Sequence, residues 1–175
     1  MIVESASALC EAHLIGATGE KAEMKTETIN IVANAVRGFN VRVTAEEGCI
    51  RIADVNGDRT IKIYVEEYRN NATAFEEFIV CFATQHRHYE DIEDAVEFAA
   101  AILRDEVLPI EFYMDEKACF GGDITRAELV GLSLDKLAKQ FCCAPEQLIR
   151  CELEVHSWSG KYDLSRRSAA ELQRD

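Results

Sequence analysis

The segment from residue 75 to residue 114 constrains the fold most, because it contains three patterns that belong together. Residues 78–82 form a continuous apolar run, which is typical of a strand covered on both faces. Residues 92–103 have helical spacing, with one apolar stripe made of Ile92, Val96, Ala99 and Leu103. Residues 108–114 alternate between apolar and polar, as in a half-buried strand. Together these patterns predict a strand, a covering helix and a second strand around one core.

The residues before this segment predict a helix followed by a β-meander. Apolar residues repeat at helical intervals over 20–38, and Gly38 is a suitable stop. Alternating residues over 40–66 predict three short strands, and Asn56-Gly57 is a strong signal for a hairpin turn between two of them. The same turn resembles part of a calcium-binding loop, but its flanking strands favour a hairpin.

The residues after Met114 predict turns, then helices, then a strand. Residues 115–123 are turn-rich, and residues 124–148 read as a helical pair with Ser133 as an N-cap. The spacing of this pair resembles a helix-turn-helix, but its second helix lacks the basic residues that DNA binding requires. Residues 149–158 then alternate like a strand.

We therefore expect an α+β fold. It consists of a mainly antiparallel sheet of five to six strands with helices packed on it, plus a C-terminal helical hairpin. The length of 175 residues suits one domain. Within it we expect an N-terminal arm at 1–19, a sheet–helix core at 20–115, and the helical hairpin, final strand and tail at 116–175.

The charge of the chain is uneven. The formal net charge is −13, and residues 1–116 carry all of it, with 10 basic and 23 acidic residues against nine of each in residues 117–175. Such a surface repels nucleic acid and anionic membranes and attracts basic partners. The simpler alternative is that the charge only keeps the protein soluble. The N-terminus lacks the features of a secretory signal, so we expect a cytoplasmic protein.

The chain offers little sequence support for a cofactor or a catalytic site. Seven cysteines without a C-x-x-C pair favour reduced thiols that pack in the core. His86 and His88 would share a face of a strand beside Glu90 and Asp91 and could bind a metal, but no third ligand is evident at a recognisable spacing. A second group is Cys142, Cys143 and Cys151 with His156, in which the adjacent cysteines are poorly spaced for a metal. There is no glycine-rich phosphate loop, nucleophile elbow or His-Glu-x-x-His motif. We expect no metal, no cofactor and no enzymatic activity.

The candidate partner-binding residues are acidic and aromatic side chains around the start of the predicted helix at 90–105. Acids in the first turn of a helix favour its dipole, but five acids within eight residues exceed that requirement. His and Tyr at a strand end are suited to an interface. The predicted residues are Glu66, Glu67, His86, His88, Tyr89, Glu90, Asp91, Glu93 and Asp94.

About a third of the chain resembles a known class of protein. The residues Phe82-Ala83-Thr84-Gln85-His86-Arg87-His88-Tyr89, 94–97, 110–113 and Trp158-Ser159-Gly160-Lys161-Tyr162-Asp163 are similar to those of bacterial immunity proteins against polymorphic or contact-dependent growth-inhibition toxins. The resemblance implies a cytoplasmic, non-enzymatic inhibitor that binds its cognate toxin, often a basic nuclease, through an acidic face.

Three classes of function follow from these observations. The first is an immunity protein that neutralises a toxin with a basic surface. The second is a secretion chaperone, a class that is also small, acidic and α+β but usually dimeric. The third is a small cytosolic enzyme with a thiol or metal site.

Overall fold

The structure is a computed structural model that describes residues 25–70 and 73–173. The chain divides into two compact units, residues 1–101 and 102–175. The predicted arm at 1–19 and the start of the helix predicted at 20–38 lie outside the described residues. Within the described part of the chain, no helix is both long and apolar enough to cross a membrane.

The first unit is built on a five-stranded antiparallel sheet with the strands in sequence order. Its elements are α1 (Thr26–Ala35), β1 (Val41–Glu46), β2 (Cys49–Asp54), β3 (Thr60–Asn70), β4 (Thr73–Phe82), β5 (Gln85–Tyr89) and most of α2 (Ile92–Leu103). The predicted meander and the predicted helix at 90–105 are confirmed. The Asn56-Gly57 pair lies in the β2–β3 turn, where Gly57 has a φ of 82° that suits glycine.

One face of this sheet is apolar and covered. Alternate residues of β2, β3 and β4 point to it and are almost completely buried; they are Ile50, Ile52, Ile61, Ile63, Phe78 and Val80. The predicted apolar stripe of α2 is buried as well. Phe98 of α2 contacts β5 on this side, with its ring centroid 5.7 Å from that of Tyr89 and 5.1 Å from the guanidinium carbon of Arg87. Burial of alternate residues is the reason that the period-2 pattern predicted β2 and β3, whereas every residue from Phe78 to Phe82 in β4 is buried, as its continuous apolar run predicted.

The second unit has a four-stranded antiparallel sheet in the order β7-β6-β8-β9. Its elements are β6 (Val107–Met114), β7 (Lys117–Thr125), α3 (Arg126–Val130), α4 (Leu134–Gln140), α5 (Pro145–Leu148), β8 (Glu152–Val155), β9 (Leu164–Ser168) and a 3-10 helix (Ala169–Gln173). Its core combines apolar side chains of the sheet and the helices, among them Ile110, Phe112, Leu134, Leu137 and Leu153.

The structure corrects three parts of the predicted fold. We expected one sheet of five to six strands, and the structure has two sheets, of five and four strands. Residues 115–123 were predicted as turns because of Gly121 and Gly122, yet most of them form β7. The predicted C-terminal helical hairpin is also wrong, because residues 126–148 form three short helices and the C-terminal residues form only a short 3-10 helix.

A packing contact explains why residue 122 in β7 is a glycine. A Cβ atom on Gly122 would lie 2.6 Å from Cε1 of Phe141. The ring of Phe141 therefore occupies the space that a side chain at residue 122 would need, and its centroid is 5.2 Å from that of Phe112. Glycine at this position allows the ring to pack closely against the strand. The sequence pattern alone predicted a turn here.

Candidate partner-binding cleft

Two successive rungs of the β3–β4 ladder consist of acidic pairs. Glu66 is paired with Glu77, and Glu67 with Glu76. Neighbouring residues of a strand point to opposite faces, so Glu67 and Glu76 share the covered face with Phe78, whereas Glu66 and Glu77 share the other face. Like charges directly opposite each other destabilise a sheet. This end of the ladder therefore carries concentrated negative charge on both faces.

The Glu67–Glu76 rung opens into a cleft of about 1070 Å³. Among the described residues, six carboxylates, three apolar side chains and one ammonium group line it. The lining residues are Lys25, Glu67, Phe75, Glu76, Glu77, Phe78, Glu90, Asp91, Ile92 and Glu93. The carboxylates come from β3, from β4, from the segment that leads into α2 and from the first turn of α2. The cleft thus brings together acids that lie far apart in the sequence, and it places them beside apolar side chains.

Lys25 already places a cation at this cleft. Its Nζ atom forms an ion pair with Glu76 Oε1. The hydrogen bond and the charge of Glu76 raise the pKa of Lys25, and the nearby charges of Glu67 and Glu27 act in the same direction. The Lys25 side chain is 61% exposed, so this pair is screened by water and contributes little to stability. The contact does show that the carboxylates of the cleft favour an ammonium group.

The opposite face of the sheet carries aromatic rings beside Glu66 and Glu77. The Tyr68 hydroxyl donates a hydrogen bond to Glu66, and the rings of Tyr68 and Phe75 stack with centroids 5.3 Å apart. The hydrogen bond to Glu66 and burial raise the pKa of Tyr68, and the charges of Glu66 and Glu77 add to the effect. His88 Nδ1 lies 2.9 Å from Glu77 Oε1. These contacts offset part of the repulsion between the two carboxylates.

The structure distributes the predicted binding residues over three places. Glu67, Glu90, Asp91 and Glu93 line the cleft. The residues on the opposite face of the sheet are Glu66, His86 and His88, with the two imidazole centroids 5.3 Å apart. Asp94 is exposed on α2 but is not part of the cleft lining, and Tyr89 packs against Phe98.

Six lining residues were not among the predicted binding residues: Lys25, Phe75, Glu76, Glu77, Phe78 and Ile92. A signal for two of them was present, because the pairs Glu66-Glu67 and Glu76-Glu77 flank a short connection between two strands. An antiparallel hairpin with a central turn brings such pairs face to face. The register of β3 and β4 was needed to use this signal.

The cysteines differ partly from expectation. Cys49, Cys81 and Cys151 are buried as predicted, and burial raises the pKa of Cys49 to about 11. Cys119 and Cys142 are exposed, so the prediction that the thiols pack in the core is wrong for both. Among residues 25–70 and 73–173, no group of three or more His, Cys, Asp or Glu side chains is arranged to hold a metal ion.

Comparisons with protein-family models, with characterised proteins and with solved structures gave no significant match. Among the described residues, the cleft is the feature whose chemistry says most about the kind of ligand that could bind. It is a concave surface whose described lining combines carboxylates with Phe75, Phe78 and Ile92.

Proposed function

We propose that this protein is an immunity protein that binds a cognate bacterial toxin through its acidic cleft and neutralises it stoichiometrically. The observation that carries the proposal is that Glu67, Glu76, Glu77, Glu90, Asp91 and Glu93 line one cleft, in which Lys25 is the single basic residue among those that the structure describes. Inhibition of this kind works by occupying the partner's surface and needs no catalytic step.

Electrostatics supports a basic partner. Clustered charge of one sign in a concave surface speeds the encounter with the opposite charge, and the effect falls as the ionic strength rises. The acidic pairs of the β3–β4 ladder repel each other in the free protein. A basic partner would relieve that repulsion on binding, so part of the binding free energy comes from the strain of the unbound cleft.

The apolar part of the cleft supports a protein partner over a small cation. Phe75 stacks on Tyr68 on the opposite face of the sheet and also lines the cleft, and 54% of it is exposed. Aromatic residues at the centre of a polar rim are typical of interface hot spots. The toxin class that fits best is a nuclease, because a surface that holds a nucleic-acid backbone is rich in Lys and Arg.

The experiment compares charge reversal inside and outside the cleft. The double variant Glu90→Lys/Asp91→Lys changes the net charge by the same amount as the control Glu46→Lys/Glu47→Lys at the β1–β2 turn, where both acids are exposed. The partner is first isolated by pull-down at low and moderate salt. Its association rate with each variant is then measured over a range of salt concentrations. We expect the cleft variant to associate at least tenfold more slowly and with a weaker salt dependence than the control. Equal rates for the two variants would remove the support for the cleft.

A secretion chaperone is the second candidate, since exposed Phe75 in an acidic cleft also suits an amphipathic effector segment. Such chaperones are usually dimeric. A stable dimer in sedimentation, together with an apolar partner released by detergent rather than by salt, would favour this class.

A further inference from the structure

The cleft lies beside a length of β4 that is paired on one side only. β3 pairs with β4 along its whole length, from Asn70↔Thr73 to Ile61↔Phe82. β5 pairs with β4 only from Phe78 to Phe82. Residues 75–77 therefore extend beyond β5, and of the strands that the structure describes only β3 pairs with them. The open edge at these residues forms one wall of the cleft.

An unpaired strand edge that opens into a cleft is a template for an added strand. Extended segments bind such edges through main-chain hydrogen bonds, while their alternate side chains enter pockets on the two faces. The position beyond the end of β5 would continue the line of that strand along β4.

We propose that the cleft accepts an extended, basic segment of the partner protein, which pairs with residues 75–77 of β4 as an added strand in line with β5. The inference rests on the proposed function, because that function supplies the basic partner. Charge complementarity identifies the occupant as basic. Six carboxylates among the described residues line the cleft beside this edge, and the ammonium group of Lys25 pairs with one of them, Glu76.

The faces of the sheet determine which side chains such a segment needs. Side chains on one side of an added strand would meet Glu67, Glu76 and the acids that precede α2. Side chains on the other side would meet Glu77 and the stacked rings of Tyr68 and Phe75. A segment with Lys or Arg on both sides fits this arrangement, because an Arg or Lys also interacts favourably with an aromatic face.

The test uses the full chain and two synthetic peptides. The first peptide has eight residues in the order Lys-Lys-Val-Val-Lys-Lys-Val-Val, with blocked ends, so that it presents lysine on both sides when it is extended. The second has the same sequence but is N-methylated at two consecutive central residues, so neither edge of its backbone can pair fully. Both peptides carry the same charge. Affinities are measured by calorimetry at low salt, and amide hydrogen exchange is followed at residues 75–77.

We expect the unmodified peptide to bind at least tenfold more tightly and to slow exchange within residues 75–77. Strand addition would be overturned if the two peptides bound with equal affinity and neither bound the Glu90→Lys/Asp91→Lys variant. That result would leave the acidic cleft as a binding surface. Failure of both peptides to bind would also overturn it, whereas the proposed function is tested separately by partner kinetics. A dimer in sedimentation that the unmodified peptide dissociates would assign the edge to a second copy of the chain and overturn a partner segment.

Discussion

Glu66 on β3 lies directly opposite Glu77 on β4, and the next rung places Glu67 opposite Glu76. Opposed like charges are unfavourable in a sheet, and the contacts from Tyr68, His88 and Lys25 offset only part of this effect. Binding sites often retain such locally unfavourable arrangements, because the residues serve recognition rather than stability. The two rungs therefore link the stability of the first unit to its proposed function.

Removing one charge of the Glu67–Glu76 rung is expected to stabilise the protein and weaken partner binding. Glu67→Gln keeps the size of the side chain but ends the repulsion with Glu76. We expect the free energy of unfolding to rise by about 0.2–1 kcal/mol, the range of cross-strand pair effects. Urea unfolding measures it. Glu47→Gln, at an exposed turn position, is the control and should change stability by less than about 0.5 kcal/mol. A clear loss of stability in Glu67→Gln would contradict the view that repulsion between Glu67 and Glu76 destabilises the sheet.

Gly122→Ala is expected to destabilise the second unit, because the new methyl group would collide with Phe141. Overpacking of this kind costs about 1–3 kcal/mol. Gly38→Ala is the matched control, since no atom lies within 4 Å of the position that its Cβ would take. Thermal unfolding compares the two variants. Adding Phe141→Leu to Gly122→Ala should recover part of the loss; additive losses in the double variant would argue against this contact as the cause.

The start of α3 is expected to lose stability at low pH. The backbone N–H and the hydroxyl of Thr125 both donate to Glu128, and the N–H of Glu128 donates back to the hydroxyl. The bonds from Thr125 lower the pKa of Glu128 below 4.5, so their contribution is present above pH 4.5 and is lost as the pH falls through the lowered pKa. Thr125→Ala should cost about 1 kcal/mol at pH 7.

The pH dependence of this cap is checked with Glu128→Ala. Its destabilisation, measured by urea unfolding at several pH values, should shrink as the pH is lowered below 4.5. Glu47→Ala, at an exposed turn, serves as the comparison. A destabilisation by Glu128→Ala that stays constant down to pH 3 would show that the charge of Glu128 plays no part in the cap.

The thiols are expected to react in two groups. Cys119 and Cys142 are exposed, whereas Cys49 is buried and its pKa is raised to about 11, so almost none of it is thiolate at neutral pH. Iodoacetamide labelling of the native protein at pH 7.5, followed by peptide mass mapping, should modify Cys119 and Cys142 before Cys49. Labelling in urea should remove the difference. Early modification of Cys49 in the native protein would indicate that the core around β2 opens readily.

The sequence alone predicted those strands and helices in which the spacing of apolar residues matches the face that is buried. The alternation of Ile61, Ile63 and Val65 predicted β3, and the stripe of Ile92, Val96 and Ala99 predicted α2, because each apolar residue faces the same side of its element. Asn56-Gly57 predicted a turn for a local reason as well, since Gly57 adopts a positive φ. The excess of acids in residues 1–116 likewise followed from counting alone.

The tertiary structure decided how the elements pair, because strand pairing joins residues that are far apart in the chain and leaves no period in the sequence of either strand. Only the register of β3 and β4 showed that Glu66 faces Glu77, and only the tertiary structure showed that β5, among the described strands, ends before residues 75–77. The glycines of β7 predicted a turn, since nothing local indicates that the ring of Phe141 takes the space beside Gly122. The acidic composition thus came from the sequence, and its assembly into a cleft came from long-range pairing.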